Sequence, residues 1–90
     1  MHRLVVSLTA NRDLEKLRGR ITRRDFERLR DAIRDLAKEP RPQRVRKIKG
    51  TDNAYRIRVC NYRVVYDVYD SDHLVLILLV TRRSETTYRQ

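Results

Sequence analysis

The spacing of hydrophobic residues in the first half of the chain predicts one strand followed by two helices. Residues 3–8 are mostly apolar, as expected for a short strand. Leu14 and Leu17 then indicate a short helix, which Thr9 or Asn11 would cap and Gly19 would end. A second, amphipathic helix is predicted by apolar residues that recur every three or four positions: Phe26, Leu29, Ile33 and Leu36.

The second half of the chain changes to a period of two, which is typical of strands. Residues 55–59 and 62–69 alternate in this way, whereas Leu74–Val80 is apolar at every position, as expected for a central strand covered on both faces. Two helices before an antiparallel meander predict an α+β fold. We expect an N-terminal edge strand and two helices packed on one face of a small, mainly antiparallel sheet.

A two-residue turn at Cys60 and Asn61 would fix the register of the first hairpin. Residue 58 would then face 63, and the tyrosines at 55, 62 and 66 would point toward the helices as core residues. The opposite face would hold Arg56, Arg58 and Arg63. Because like charges directly across a sheet are destabilising, this uncompensated pairing indicates a functional requirement.

The next hairpin, at residues 70–73, brings more cations to the same place. Residue 69 would face 74, and 63 would face 80, so that Arg82 and Arg83 emerge beside Arg63. Lys47 and Lys49 would enter the sheet from the other side. Five or more cations would then converge at one end of the sheet, a pattern that suits phosphate groups.

Composition supports a polyanionic partner. The chain has 90 residues, and we expect a single domain that spans residues 1–90. It contains 22 Lys plus Arg and 12 Asp plus Glu, which gives a net charge of +10. Such a charge favours nucleic acid first, and an acidic protein or an anionic membrane second. The excess is concentrated in residues 40–66, with eight basic groups and one acidic group.

Other classes of protein are disfavoured. No apolar run approaches the roughly 18 residues that span a bilayer, and the N-terminus lacks the pattern of a signal peptide, so we expect a cytoplasmic protein. The single cysteine, Cys60, argues against a disulfide framework and a zinc knuckle. We expect no cofactor or metal ion. His2 and His73 are expected to lie too far apart to form an acid–base pair.

The residues of the second half resemble the RelE toxins of the RelE/ParE toxin–antitoxin superfamily. The resemblance is carried by the sequences KIKG at 47–50, YRIRV at 55–59 and NYRVVYDV at 61–68, followed by an apolar strand, Arg82-Arg83 and a near-terminal Tyr88. It implies a metal-independent endoribonuclease that cuts mRNA in the ribosomal A site. It also implies a cognate antitoxin as partner, beside the ribosome with its ribosomal RNA and the mRNA, and no membrane.

The resemblance assigns roles to residues that are largely those of the arginine face. The implied catalytic residues are Arg56, Arg58, Arg63, one of Arg82 and Arg83, and Tyr88. Lys47, Lys49 and the neighbouring Arg46 are expected to bind RNA. The arginines would hold the scissile phosphate while the 2′-OH attacks the adjacent phosphorus.

Two departures from the family pattern affect the chemistry. Arg56 and Arg58 stand where relatives often have lysine, and arginine does not lose its proton in proteins. We therefore expect Tyr88, with a phenol acidified by nearby arginines, to be the general base, with Glu85 as the alternative. Cys60 stands where relatives usually have glycine, in a turn that favours positive φ, which predicts about 1 kcal/mol of strain or a longer loop.

Three other readings compete with the nuclease. The cationic face could be an ordinary solvated surface. The protein could be a gyrase inhibitor without nuclease activity, like the ParE branch, or a basic module that binds RNA or DNA without chemistry. A binding module would lose affinity steeply with salt and cleave nothing.

Overall fold

The structure, a computed structural model, describes residues 1–82. In this part of the chain two α-helices and five strands follow one another, with a short 3-10 helix at Asp70–Asp72 before the last strand. They are β1 (Arg3–Val6), α1 (Leu8–Arg18), α2 (Arg23–Asp35), β2 (Arg46–Lys47), β3 (Ala54–Val59), β4 (Tyr62–Tyr69) and β5 (Leu74–Arg82).

The strands form one sheet in the order β1-β5-β4-β3-β2. The pairing of β1 with β5 is parallel and the others are antiparallel. The predicted α+β fold is therefore confirmed, with β1 at one edge and both helices on one face. We call the other face the outer face. No helix in the described part of the chain is long and apolar enough to cross a membrane.

The first helix begins earlier than the sequence predicted. Ser7, and not Thr9 or Asn11, is its N-cap, because the Ser7 hydroxyl accepts a hydrogen bond from the Ala10 N–H at 3.0 Å. The predicted strand at 3–8 therefore ends at Val6. Gly19 follows the last residue of the helix, as predicted.

The second helix supplies most of the helical part of the core. Thr22 caps it by accepting a hydrogen bond from the Asp25 N–H at 3.1 Å. Leu29, Ile33 and Leu36 are almost fully buried. They belong to one hydrophobic cluster with residues from β3, β4 and β5: Val59, Tyr62, Val64, Tyr66, Val68, Val75, Ile77 and Val80.

The hairpin between β3 and β4 has the predicted register. Arg58 faces Arg63, Val59 faces Tyr62, and the turn contains only Cys60 and Asn61. Cys60 adopts a φ of 55°, in the left-handed region that favours glycine. The chain thus accepts backbone strain of the order of 1 kcal/mol at this position instead of lengthening the loop.

Strand β5 lies inside the sheet, between β1 and β4, and within residues 1–82 it is covered by helices on one face only. Val75, Ile77 and Val80 are buried against the helices, whereas Leu76 and Leu79 on the outer face are only half-buried. The prediction of cover on both faces was wrong. Both helices precede β2 in the chain. Because both pack on the same side of the sheet, they cover the same face of β5.

An irregularity in β5 changes the predicted register of the second hairpin. Tyr69 faces Leu74 as expected, but Val65 faces Leu79 while Tyr66 faces Ile77, so Leu78 is an extra residue. Consequently Arg63 faces Thr81 and not residue 80. A bulge inserts one residue without altering the apolar pattern, so hydrophobicity alone gave no sign of it.

Helix α1 stabilises this irregular part of β5. The Ser7 hydroxyl donates to the Leu78 carbonyl at 2.9 Å, and the Val80 N–H donates to the Asp13 carboxylate at 2.9 Å. Strand β1 ends at Val6, so it offers no backbone partner at these positions. Two side chains thus satisfy backbone groups that the sheet leaves unpaired.

The two histidines lie side by side, contrary to the sequence-based expectation. The rings of His2 and His73 are 5.8 Å apart in an edge-on arrangement. The cause is the parallel pairing of β1 with β5, which sets Arg3 opposite Leu74. His2 also contacts the Asp70 carboxylate at 3.2 Å.

Asp70 anchors the loop that leads from α2 to the sheet. Arg41 donates to both Asp70 oxygens, at 2.8 and 3.3 Å, and also to the Tyr55 hydroxyl at 3.0 Å. These hydrogen bonds from Arg41, followed by the contact with His2, hold the pKa of the Asp70 carboxyl below its ordinary value. The loop is also held by the Tyr66 hydroxyl, which donates to the Pro40 carbonyl at 2.7 Å.

Replacement of Asp70 by asparagine should lower the stability of the protein at neutral pH. Since the folded carboxyl has a lowered pKa, its contribution is present above the ordinary value near 3.8 and is lost as the pH falls through the folded value. The difference between wild type and Asp70→Asn in urea unfolding should therefore shrink at acid pH. Asp72→Asn, in the same turn, is the matched control, and equal midpoints for both variants at neutral pH would contradict the anchoring role.

Candidate functional site

Two pairs of arginines face each other across neighbouring strands on the outer face. Arg58 lies opposite Arg63 in the β3–β4 hairpin, as predicted, and Arg46 lies opposite Arg56 in the β2–β3 pair. Directly opposed side chains in an antiparallel pair have Cβ atoms roughly 5 Å apart. The outer face therefore brings four guanidinium groups together at some cost in stability.

These four arginines line a pocket, which we call the arginine pocket. Its volume is about 480 Å³. The lining comes from the loop before β2, from β2 itself and from the middle of the β3–β4 hairpin: Gln43, Arg44, Val45, Arg46, Arg56, Ile57, Arg58 and Arg63. Five of these eight residues are arginines, drawn from three stretches of chain.

The arginine pocket is suited to phosphate groups. The described residues that line it include five arginines and no carboxylate, so the lining itself supplies only positive charge. Each guanidinium can donate two parallel hydrogen bonds to a phosphate, and its delocalised charge is retained at any physiological pH. Several guanidiniums around one phosphate would also stabilise additional negative charge that develops on it during a reaction.

The two predicted lysines are not part of this lining. Lys47 pairs with Tyr55 in the register, so its side chain lies on the other side of the sheet from Arg46. Its ammonium donates to the Asp52 carbonyl at 3.1 Å and lies 5.9 Å from the centre of the Tyr55 ring. Lys49 lies beyond the end of β2, exposed in the following turn. Of the three residues predicted to bind RNA, only Arg46 reaches the pocket.

Sequence reasoning missed Arg44 and Gln43. Both precede β2, in a segment for which no strand was predicted, and both are exposed. A signal was present: Arg44 and Arg46 are two residues apart, the spacing that places side chains on one face of an extended chain. The short segment, with Pro42 before it, obscured this pattern.

Arg82 occupies a different position from the one predicted. It faces Tyr62, which is buried on the helix side of the sheet, so Arg82 lies at the end of β5 on that side and is exposed. The bulge at Leu78 is the reason, since it shifts the alternation of β5 by one residue. Arg83, Glu85 and Tyr88, which the sequence singled out for catalysis, lie outside the described residues.

The tyrosines of β3 and β4 behave as the sequence predicted. Tyr62 and Tyr66 are buried, and the Tyr55 ring stacks on that of Tyr66 at 6.1 Å. Burial raises the pKa of the Tyr66 phenol, and the hydrogen bond to Asp67 raises that of Tyr69. Both phenols therefore keep their protons at neutral pH, which makes them poor general bases.

Cys60 is linked to helix α2 and not to the pocket. Its thiol lies 3.8 Å from the Asp25 carboxylate and is half-buried. This contact links the N-terminus of α2 to the tip of the β3–β4 hairpin. Within residues 1–82, no group of three or more His, Cys, Asp or Glu side chains is arranged to hold a metal ion.

The chain is similar in sequence to known toxins of toxin–antitoxin systems. The family model described as the ParE toxin of the type II toxin–antitoxin system parDE matches residues 4–87. A curated relative from Methanocaldococcus jannaschii that bears the name toxin RelE1 is 29% identical over 62 residues. That alignment covers 66% of this chain and 69% of the relative.

Solved structures with the same fold include toxin–antitoxin complexes. The matched chain in the RelE–RelB complex of Pyrococcus horikoshii has a TM-score of 0.77 and 26% identity, with 93% of this chain and 97% of that chain covered. In the RelBE2 complex of Mycobacterium tuberculosis the corresponding values are 0.73, 25%, 91% and 98%. The similarity thus extends over nearly the whole of the chains compared.

Neutralising Arg58 should stabilise the fold. Arg58→Gln removes one member of the opposed pair with Arg63, so we expect a gain of about 0.2–1 kcal/mol in the free energy of unfolding at low salt. The gain should decrease at high salt, because ions screen exposed charges. Lys38→Gln, an exposed change elsewhere, should leave stability unchanged. Lower stability for Arg58→Gln than for wild type at low salt would contradict repulsion across this pair.

Proposed function

The chain belongs to the RelE/ParE superfamily of type II toxins, and we propose that it is a ribosome-dependent endoribonuclease that cuts mRNA in the ribosomal A site. The observation that carries this proposal is the arginine pocket. A toxin that only inhibits a protein partner would not need five arginines around one cavity, two pairs of them directly opposed. A phosphodiester in the pocket would offset that repulsion.

The proposed reaction is an internal transfer within the mRNA. The 2′-oxygen of one nucleotide forms a bond to the adjacent phosphorus as its proton leaves to a general base. The bond from phosphorus to the 5′-oxygen of the next nucleotide breaks, and that oxygen takes up a proton. The products are a 2′,3′-cyclic phosphate on the upstream fragment and a 5′-OH on the downstream fragment. The reaction therefore consumes no external water, and the proposed chemistry does not use a metal ion.

The arginines would act on the phosphate itself. Arg58 and Arg63, on neighbouring strands, would donate to its non-bridging oxygens and stabilise the second negative charge that these oxygens acquire. Arg56 lies next to them on the same face and would contribute to the same role. Arg44 and Arg46, further toward the edge of the sheet, would bind a neighbouring phosphate and fix the register of the mRNA.

The remaining roles fall to residues of the C-terminal segment. We assign the general base to Tyr88 or Glu85, and a further phosphate contact to Arg83. The described tyrosines with raised pKa values do not suit a base, which favours this assignment. Arg82, on the helix side of the sheet, is better placed to bind RNA outside the pocket than to contact the reacting phosphate.

The partners follow from the same proposal. We propose that the toxin acts in the cytoplasm, where it would bind the ribosome and its mRNA. It would also bind a cognate antitoxin, as the matched proteins from Pyrococcus horikoshii and Mycobacterium tuberculosis do in their complexes. A net charge of +10 favours an acidic antitoxin segment that orders as it covers the arginine pocket.

Substitution of Arg63 by alanine should abolish most of the cleavage. Loss of a preorganised charge donor commonly lowers the rate by about 10²- to 10³-fold, and we expect a decrease of that size. The measurement is primer extension on mRNA in a purified translation system over a time course. Arg34→Ala, an exposed change on α2, is the control and should cleave like wild type.

The circular dichroism spectrum and the unfolding midpoint of Arg63→Ala must be recorded beside the cleavage assay, since loss of fold would also abolish activity. A folded Arg63→Ala protein that cleaves at the wild-type rate would refute the role of the arginine pocket in the reaction.

A second candidate function is inhibition of DNA gyrase without nuclease activity. It is favoured by one finding, that the matching family model is described as the ParE toxin. The purified protein would then block supercoiling by gyrase at micromolar or lower concentration and leave mRNA intact on ribosomes. We expect the opposite result in both assays.

A further inference from the structure

A second cluster of arginines lies in the helical layer, away from the arginine pocket. The turn between α1 and α2 has the sequence RGRITRR at residues 18–24. We call its four arginines the helical-turn patch: Arg18, Arg20, Arg23 and Arg24. All four are exposed. The reaction proposed above makes no use of them.

The turn presents these arginines on a fixed backbone. The N–H groups of Arg20 and Ile21 donate to the Leu17 carbonyl at 2.9 and 3.1 Å. The side chain of Ile21 packs against the hydrophobic core, and Thr22 caps α2. The Arg18 guanidinium lies over the Phe26 ring, 5.6 Å from its centre. The cationic groups therefore project from a structured turn.

The position of two of these arginines is unfavourable for the helix. Arg23 and Arg24 are the first two residues of α2, where the positive end of the helix dipole disfavours cations. Arg23 contacts Glu27 at 3.3 Å, but the arginine side chain is 92% exposed, so this ion pair contributes little. A charge arrangement that opposes local stability indicates a function that requires it.

The helical-turn patch lies at the hairpin end of the sheet. The contact between Asp25 and Cys60 joins the N-terminus of α2 to the tip of the β3–β4 hairpin, next to Arg58 and Arg63. Arg82, on the helix side of β5 and opposite Tyr62, lies at the same end. A large polyanion could thus contact the patch with one part and the arginine pocket with another.

The composition of the turn indicates which kind of polyanion it fits. Its exposed residues, besides the arginines, are Gly19 and Thr22, while Ile21 is half-buried. The segment therefore lacks the large exposed apolar or aromatic anchors on which protein interfaces depend. It also lacks the aromatic rings on which unpaired bases stack. Guanidinium groups alone suit the phosphate backbone of structured RNA.

We propose that the helical-turn patch binds the phosphate backbone of ribosomal RNA while the arginine pocket holds the mRNA. This inference rests on the proposed function and adds a second, non-catalytic surface to it. The patch would supply affinity for the ribosome that depends on salt. It would also orient the hairpin end of the sheet, and with it the pocket, toward the mRNA.

The test compares two triple variants with the same loss of charge. The first is Arg20→Gln, Arg23→Gln and Arg24→Gln, which removes the patch but keeps Arg18 and its contact with Phe26. The matched control is Arg30→Gln, Arg34→Gln and Lys38→Gln, on the distal part of α2 and the turn after it. Binding to purified vacant ribosomes is measured over a range of salt concentrations.

The patch variant should bind ribosomes at least about tenfold more weakly at low salt. Its slope of log affinity against log salt should fall by roughly 2–3, since each lost phosphate contact accounts for about 1. Its cleavage of mRNA should decrease most at low ribosome concentration. The control should remain close to wild type. The unfolding temperature of the patch variant should be equal to or higher than that of wild type, because cations leave the start of α2.

Several outcomes would overturn the inference. Equal losses of ribosome affinity in both triple variants would show that the effect comes from net charge alone. Unchanged ribosome affinity in the patch variant would show that the patch takes no part in binding. Loss of affinity for poly-L-glutamate with ribosome binding intact would assign the patch to an acidic protein instead. If wild type cleaves mRNA on ribosomes in these cases, the proposed function stands. Wild type that neither binds nor cleaves on ribosomes would refute both.

Discussion

The two-residue turn at Cys60 and Asn61 is the constraint on which the rest of the site depends. It sets Val59 opposite Tyr62, and the strict alternation of the two strands then determines every other side chain in the hairpin. One more residue in the loop would exchange the faces of one strand, burying arginines and exposing the core tyrosine and valine positions. The chain keeps this short turn although Cys60 must adopt a φ of 55°.

The same register that builds the core also concentrates charge. The tyrosines and valines that alternate with arginines face the helices. Because successive side chains of a strand point to opposite faces, the arginines all lie on the outer face. Opposed pairs at Arg58–Arg63 and Arg46–Arg56 cost stability in the free protein. A bound polyanion would offset this repulsion, which would couple the stability of the fold to occupancy of the site. An antitoxin that covers the pocket would have the same effect.

Much of this organisation could be predicted from residue periodicity, because the fold is built from short elements with strong patterns. The hairpin register and the buried tyrosines are examples. The failures have physical causes of another kind. The bulge at Leu78 adds an apolar residue inside an apolar run, and the meeting of His2 with His73 depends on a parallel pairing between distant strands. Arg44 was missed because the two-residue spacing from Arg44 to Arg46 lies in a short segment directly after Pro42.

Two cationic surfaces at one end of the molecule, in different layers, suit an enzyme whose substrate is presented by a larger RNA assembly. The most direct test of the central claim is to map both ends of mRNA fragments after incubation with wild-type protein, with and without ribosomes. We predict 2′,3′-cyclic phosphate and 5′-OH ends at sites inside codons, and only when ribosomes are present. Intact mRNA, fragments with 5′-phosphate and 3′-OH ends, or equal cleavage of free mRNA would contradict it.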